Sequence, residues 1–334
     1  MSDLSHIAKQ LVTPGKGILA ADESTSSIKK KLENTGIEDS VENHRLYRQL
    51  FFSTPDMEKY ISGVILYDET IRQTADDGIS FPKLLSDKGL IPGIKVDLGV
   101  KELDGSLAEK LTFGLDGLGD RLKEYYALGA RFAKWRAVIT IGDGIPTENC
   151  IRQNMQVLAQ YAKLCQENNI VPIVEPEVLM DGDHTIEQCY EVTKKTLTVL
   201  FEELKLAEVD LSGLLLKPNM VIAGVEGEKM SSAVIAEQTL KCFSEVVPKE
   251  VAGIVFLSGG QSEEEACKNL NEIVKNAQNA PWKFTYSFGR ALQNTALKVW
   301  SGKSENVEKA QQAFLHRASL DSAASLGKYD QTLE

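Results

Sequence analysis

The feature that most constrains this chain is an alternation. Eight short apolar runs of β type are separated by segments with helical spacing: GILAAD (17–22), ISGVILYD (61–68), IPGIKVD (91–97), RFAKWRAV (131–138), IVPIVEPE (170–177), SGLLLKPN (212–219), AGIVFLSGG (252–260) and WKFTYSFGR (282–290). Such runs suit strands buried on both faces, as in parallel sheets covered by helices. Between the fourth and fifth, Ile151, Met155, Leu158, Ala162 and Cys165 recur three or four residues apart, the stripe of an amphipathic helix. After the seventh run, Ser262 with Glu265 three residues on predicts a capping box. The α/β fold class that follows is a single (β/α)₈ TIM barrel over residues 1–334, strands within about 17–290, with an additional C-terminal helix (305–322) and a tail to 334. A doubly wound open sheet shares the alternation and remains the competing architecture.

Polar residues inside or just beyond these runs supply the second constraint. Asp22 ends the first run, Lys95 and Asp97 the third, Glu175 and Glu177 the fifth and Lys217 the sixth, while Lys134 and Arg136 lie in the fourth. Barrel active sites form at the C-terminal ends of strands. Side chains two apart share a face, so Lys95/Asp97, Lys134/Arg136 and Glu175/Glu177 each project as a pair. Pointing outward they would bury charge among helices; pointing inward they can oppose one another around a polar ligand. An ion-pair network that merely fills the barrel is the structural alternative. Lys217 follows the apolar stretch GLLL, so desolvation, with Lys134 and Arg136 nearby, is expected to lower its pKa and favour a nucleophilic amine. A strand-end lysine serving only as a salt-bridge partner is the alternative there.

Anion sites are suggested at Ser258-Gly259-Gly260 after the seventh run and at Ser287, Gly289 and Arg290 after the eighth, where glycines and helix N-termini let backbone N–H groups approach a phosphate. ESTSSIKKK (23–31) is a weaker third candidate, a Ser/Thr-rich helix start followed by lysines.

The net charge of −11, without basic runs, makes nucleic acid or an anionic membrane a poor partner, so positive charge for an anionic substrate has to be concentrated locally. No apolar stretch is long enough to span a bilayer and no secretory leader is evident. Five cysteines without a CxxC pair point to reduced thiols and a cytoplasmic location. The four histidines are widely spaced, so no metal site is expected; His184 is expected to be structural.

Taken in order, PGKGILAADEST (14–25), GIKVD (93–97), GLDGL (114–118), GARFAKWRAV (129–138), IVPIVEPEVL (170–179), LLLKPNMV (214–221), FLSGGQSEEEA (256–266) and SFGRALQ (287–293) resemble the class I, Schiff-base fructose-bisphosphate aldolases of eukaryotic type across nearly the whole chain. The resemblance implies reversible cleavage of fructose 1,6-bisphosphate into dihydroxyacetone phosphate and glyceraldehyde 3-phosphate, in glycolysis and gluconeogenesis, without a cofactor. It assigns the imine to Lys217, the C4 hydroxyl proton to Asp22, acid/base work to Glu175, and tuning and positioning to Glu177 and Lys134. It places Ser258, Gly259, Gly260, Ser287, Gly289 and Arg290 at the triose-phosphate end. Ser27, Lys31 and Lys95 fall near the other phosphate, with Arg136 lining the cleft.

It also implies a homotetramer. Position 31 is Lys where the family usually has Arg, Ser26 stands for Gly and Phe288 for Tyr. The family's tyrosine-ended tail, which assists proton exchange at the enamine, is not seen after GKYDQTLE: either the enzyme lacks that aid, and slow enamine protonation is expected alongside intact imine chemistry, or the chain continues beyond this point. Competing functions are another Schiff-base barrel, such as a transaldolase-like enzyme or an aldolase favouring fructose 1-phosphate, and a scaffold binding cytoskeletal or adhesin partners.

Overall fold

The computed structural model describes residues 3–106 and 108–334. Ten strands form: β1 (Gly17–Ala20), β2 (Ile61–Leu66), β3 (Ile91–Lys95), β4 (Val100–Glu102), β5 (Lys110–Thr112), β6 (Phe132–Ile139), β7 (Val171–Val178), β8 (Leu215–Leu216), β9 (Gly253–Phe256) and β10 (Phe284–Phe288). Eight of them close into a parallel barrel in the order β1-β10-β9-β8-β7-β6-β3-β2, and β4 and β5 form a separate antiparallel hairpin. Pairing of Ile18 with Ser287 joins the first strand to the last, which removes the open-sheet alternative.

Each expected strand forms, but most are shorter than the apolar run that announced them. The sixth shrinks furthest: Asp210 caps a 3₁₀ turn over Leu211–Gly213, and Pro218 has no N–H to continue the ladder. Lys217 is still held in line, because its N–H donates to the Val174 carbonyl at 2.8 Å. The β4–β5 hairpin was not anticipated from sequence.

Close approach inside the barrel requires particular glycines. A Cβ on Gly93 would lie 2.3 Å from the Phe132 ring, and one on Gly17 would lie 2.3 Å from the Tyr286 ring. The Phe132 ring, with Ile18, Ile65, Val171, Leu215 and Val255, fills the lower interior, and the helix Asp3–Leu11 packs Ala8 and Leu11 against it. Polar chemistry is thereby confined to the opposite mouth.

The outer helices start where their caps predict. Ser262 and Glu265 make the reciprocal capping box of helix Glu263–Asn276. Helix Ile186–Leu206 has a second box from Thr185 and Gln188. The additional C-terminal helix spans Val307–Ser325 and buries Ala310, Phe314 and Ala318. Its Arg317 binds the Glu334 carboxylate at 2.8 Å, and Tyr329 donates to the same group at 2.7 Å. All five cysteines are buried and unbridged.

Candidate active site

Strand register brings the charged residues together at one mouth. Lys95 pairs in register with Lys134, and Arg136 with Glu175, so the charged residues at the ends of β3, β6 and β7 converge on a cavity of about 1490 Å³. At its floor Lys134 Nζ sits 2.7 Å from Asp22 Oδ2 and 3.2 Å from Glu175 Oε2. The other Glu175 oxygen lies 3.0 Å from Lys217 Nζ. Asp22, Lys134, Glu175 and Lys217 therefore form one alternating chain of charge. Lys134, Glu175 and Lys217 are all at most 5 % exposed.

The electrostatics follow from that chain. Burial acts to raise the Glu175 pKa, but Lys134, Lys217 and Arg136 outweigh it and hold the carboxyl down to about 2. Burial acts to lower the Lys134 pKa, but Asp22, Glu175 and Asp97 prevail and raise it. Lys134 is thus a fixed cation between two carboxylates. The sequence reading expected Lys217 to be surrounded by apolar groups and other cations; instead Glu175 touches its nitrogen. β7 supplies the reason: its side-chain alternation places Glu175 on the same inner face as Glu177 and opposite the end of β8. Above this floor Arg136 pairs through Nε with Glu177.

The expected phosphate residues divide into two groups. Ser258, Gly259, Ser287, Gly289 and Arg290 all line the cavity. Ser287 is 1 % exposed and its hydroxyl has no hydrogen-bond partner, an unmet donor and acceptor at the wall. Gly289 caps helix Arg290–Trp300, whose first turn holds no acidic residue. Helix Glu263–Asn276 differs, because Glu263, Glu264 and Glu265 already complement its positive end. Gly260 is not a lining residue. Its φ is +75°, and a Cβ there would meet Met180 Cβ at 2.6 Å, so this glycine shapes the turn behind the wall.

On the other side Ser27 lines the cavity at the start of helix Thr25–Glu33, which also lacks an acidic first turn. Lys31 and Lys95 line it too, but neither is free for an anion. Lys31 Nζ donates to Glu23 Oε1 at 2.7 Å and to Gln293 Oε1 at 2.6 Å. Lys95 pairs with Asp97. Among the described residues, the cavity cations without a carboxylate partner are Lys30, Arg290, Lys298 and Arg121, and Arg121 is spent on the Val96 and Gly114 carbonyls. Sequence reasoning missed Glu23, Gln293 and Arg48, the last of which binds Glu23 from behind. Glu23 was legible as the neighbour of Asp22; Arg48 announced itself only as a charge within the apolar spacing of Tyr47, Phe51 and Phe52.

Comparisons with known proteins bear on the family and the fold. Residues 3–334 match the glycolytic family described as fructose-bisphosphate aldolase class-I. The chain belongs to the class I fructose-bisphosphate aldolase family. It is 52% identical over 331 residues to the probable fructose-bisphosphate aldolase class 1 of Xanthomonas campestris, covering 98% of this chain and 99% of that one. It is likewise 52% identical over 322 residues to the cytosolic fructose-bisphosphate aldolase 6 of Arabidopsis thaliana, covering 96% and 90%. Among solved structures, the Plasmodium falciparum fructose-bisphosphate aldolase, crystallised with TRAP and a small-molecule inhibitor, superposes with a TM-score of 0.96 at 49% identity, covering 98% and 95%. As a member of this family the chain is an aldehyde-lyase. No helix among the described residues is long and apolar enough to cross a membrane. None of their His, Cys, Asp and Glu side chains cluster as a set of three metal ligands.

Proposed function

We propose that this chain cleaves fructose 1,6-bisphosphate reversibly through an imine on Lys217, with Glu175 and Asp22 handling separate protons. The observation that carries this reading is the Lys217–Glu175 contact of 3.0 Å inside the cavity. The proton that must leave the nitrogen before attack passes along that contact to Glu175, and Lys217 then adds to the ketone carbon. Glu175 returns a proton to the carbinolamine hydroxyl, which departs as water and leaves an iminium ion. The carboxylate contact thus supplies what the sequence reading had assigned to desolvation and neighbouring cations.

The iminium is the electron sink for cleavage. Asp22 takes the C4 hydroxyl proton, the C3–C4 bond breaks, the aldehyde leaves, and the bonding pair forms an enamine on the lysine-bound half. Protonation at C3 and hydrolysis return Lys217. Lys134, 2.7 Å from Asp22 and 3.2 Å from Glu175, holds the two carboxylates at fixed positions. The separation of acid and base roles by environment follows the general pattern of paired carboxyl groups in active sites. Glu177 and Arg136 brace one another at the rim.

Ser258, Gly259, Ser287, Gly289 and Arg290 hold the phosphate of the triose that becomes the imine. Ser27 and the start of helix Thr25–Glu33 face the other phosphate, with Lys31 and Lys95 recruited only if they exchange their present carboxylates. The reaction belongs to the cytoplasm, as in the cytosolic relatives, and the assembly is a homotetramer, which light scattering will check. No feature of the site favours a scaffold without catalysis.

Borohydride reduction in the presence of dihydroxyacetone phosphate, followed by peptide mapping, tests the mechanism. The label is expected on Lys217; a label on any other residue refutes it.

A further inference from the structure

Arg48 lies on helix Val41–Phe52, is 1 % exposed, and takes no part in lining the cavity. Its guanidinium nevertheless grips the segment that carries Asp22. Nη1 binds Glu23 Oε2, and Nη2 donates to the Glu23 carbonyl at 3.1 Å. The last ladder bond before this segment is from Ala21 N to the Ile65 carbonyl at 3.1 Å. Helical bonding resumes with the Ser24 carbonyl, which accepts from Ile28 N at 2.8 Å. Between these points, among the described residues, the main chain of Asp22 and Glu23 makes one hydrogen bond, and Arg48 supplies it.

Packing alone does not call for a charge here. Arg48 and Lys31 lie against the Tyr47 ring, 5.4 and 5.3 Å from its centroid, and Lys31 holds Glu23 Oε1 at 2.7 Å, so the carboxylate keeps one cation when Arg48 is replaced. What an apolar residue would not do is hold a carbonyl and a carboxylate of the same residue at once. The planar fork of arginine does so; an ammonium has the charge without the fork.

We infer that Arg48 is a positioning residue for carbon–carbon bond cleavage, acting through the Asp22–Glu23 peptide to keep the Asp22 carboxylate against Lys134. This rests on the role given to Asp22 above. Arg48 reaches the Lys217–Glu175 pair only indirectly, through Asp22 and Lys134, and that pair keeps its own direct contact of 3.0 Å, so imine formation is expected to be left unaffected. Misplacement of a reacting group by about 1 Å costs on the order of 100-fold in rate.

The test measures two steps separately in R48M and R48K. In both, borohydride trapping with dihydroxyacetone phosphate is expected at the wild-type rate. Steady-state kcat for fructose 1,6-bisphosphate cleavage is expected to fall roughly 10- to 100-fold in R48M, with less loss in R48K and KM within about threefold of wild type. Adding R48M to D22N should cause no further loss, because both act on one group. Wild-type kcat in R48K or R48M overturns the inference, as does a parallel fall of trapping and kcat, which marks general damage to the fold. If R48M does not fold, R48K alone decides on the same criteria. D22N separates the two claims: full cleavage by D22N removes the role of Asp22 itself, whereas an inactive D22N beside a fully active R48K removes only the role of Arg48.

Discussion

Replacing Glu175 with glutamine tests both the chemistry and the electrostatics of the cavity floor. The carboxyl is fully buried and held to about 2, against an ordinary value of 4.5. At roughly 1.4 kcal/mol per unit, the surrounding cations favour its ionised form by about 3 kcal/mol. In E175Q, Lys134 keeps Asp22 at 2.7 Å, but Lys217 is left in a buried site without a carboxylate. An unpartnered buried charge costs about 3–5 kcal/mol, so a loss of about 3 kcal/mol in unfolding free energy is expected at pH 7. The pH dependence has a definite sign. Because the folded pKa is depressed, the stabilisation is fully present above about 4.5 and is lost as pH falls toward 2. Denaturant titrations of wild type and E175Q should therefore differ at pH 7 and converge as pH is lowered through that window. In catalysis, loss of a general acid/base lowers the rate of imine trapping by about 100- to 10,000-fold. Wild-type trapping by E175Q, or a stability gap that is the same at pH 3 and pH 7, would refute the assignment.

Other outcomes follow from separate features. Lys217→Met should abolish borohydride trapping while dihydroxyacetone phosphate still protects the cavity in hydrogen exchange, because the phosphate loops are untouched; persistent labelling would disprove the imine site. Activity should be unchanged by prolonged chelation, measured against an untreated control. Gly259→Ala would place a Cβ 2.8 Å from Glu177 Oε1, pushing that side chain off Arg136 and lowering kcat/KM by roughly tenfold. Asp321 is buried with neither oxygen hydrogen-bonded; burial outweighs the nearby Arg317 and raises its pKa to about 8. Since the folded value lies above the unfolded one, the native protein loses stability as pH rises from about 4 to 8. Asp321→Asn should remove that slope, read by denaturant titrations at pH 4 and pH 8.

Much of this architecture was legible in sequence because two periodicities and a few caps carried it. The buried runs ending in charge gave the strands and the mouth together, and Ser262 with Glu265 gave a helix start that the structure reproduces. Strand ends were less legible. An apolar run continues past the strand proper when the cavity wall is itself apolar, as with Leu257, whose N–H still donates to the Pro218 carbonyl at 3.1 Å, or when proline intervenes, as at Pro218. Pairing was hidden most. Nothing in the spacing of Lys31 shows that Glu23, eight residues earlier, and Gln293, 262 residues later, would occupy its nitrogen. Arg48 was hidden for a related reason, since its partner is contributed by a different element and its helix reads as an ordinary core-facing stripe.

The division of the cavity cations into partnered and unpartnered sets bears on how a phosphate arrives. Lys95, Lys134, Arg136 and Lys217 are each neutralised by a carboxylate and exert little pull at a distance. Lys30, Arg290 and Lys298 all belong to the helices Thr25–Glu33 and Arg290–Trp300, and they face solvent in a chain whose net charge is −11. An incoming dianion is therefore drawn to one flank of the opening and repelled by most of the remaining surface. Raising ionic strength should slow capture while sparing the bond-breaking step on the sheltered floor, and phosphate ions in the buffer should compete at that flank before they reach the lysine that does the chemistry.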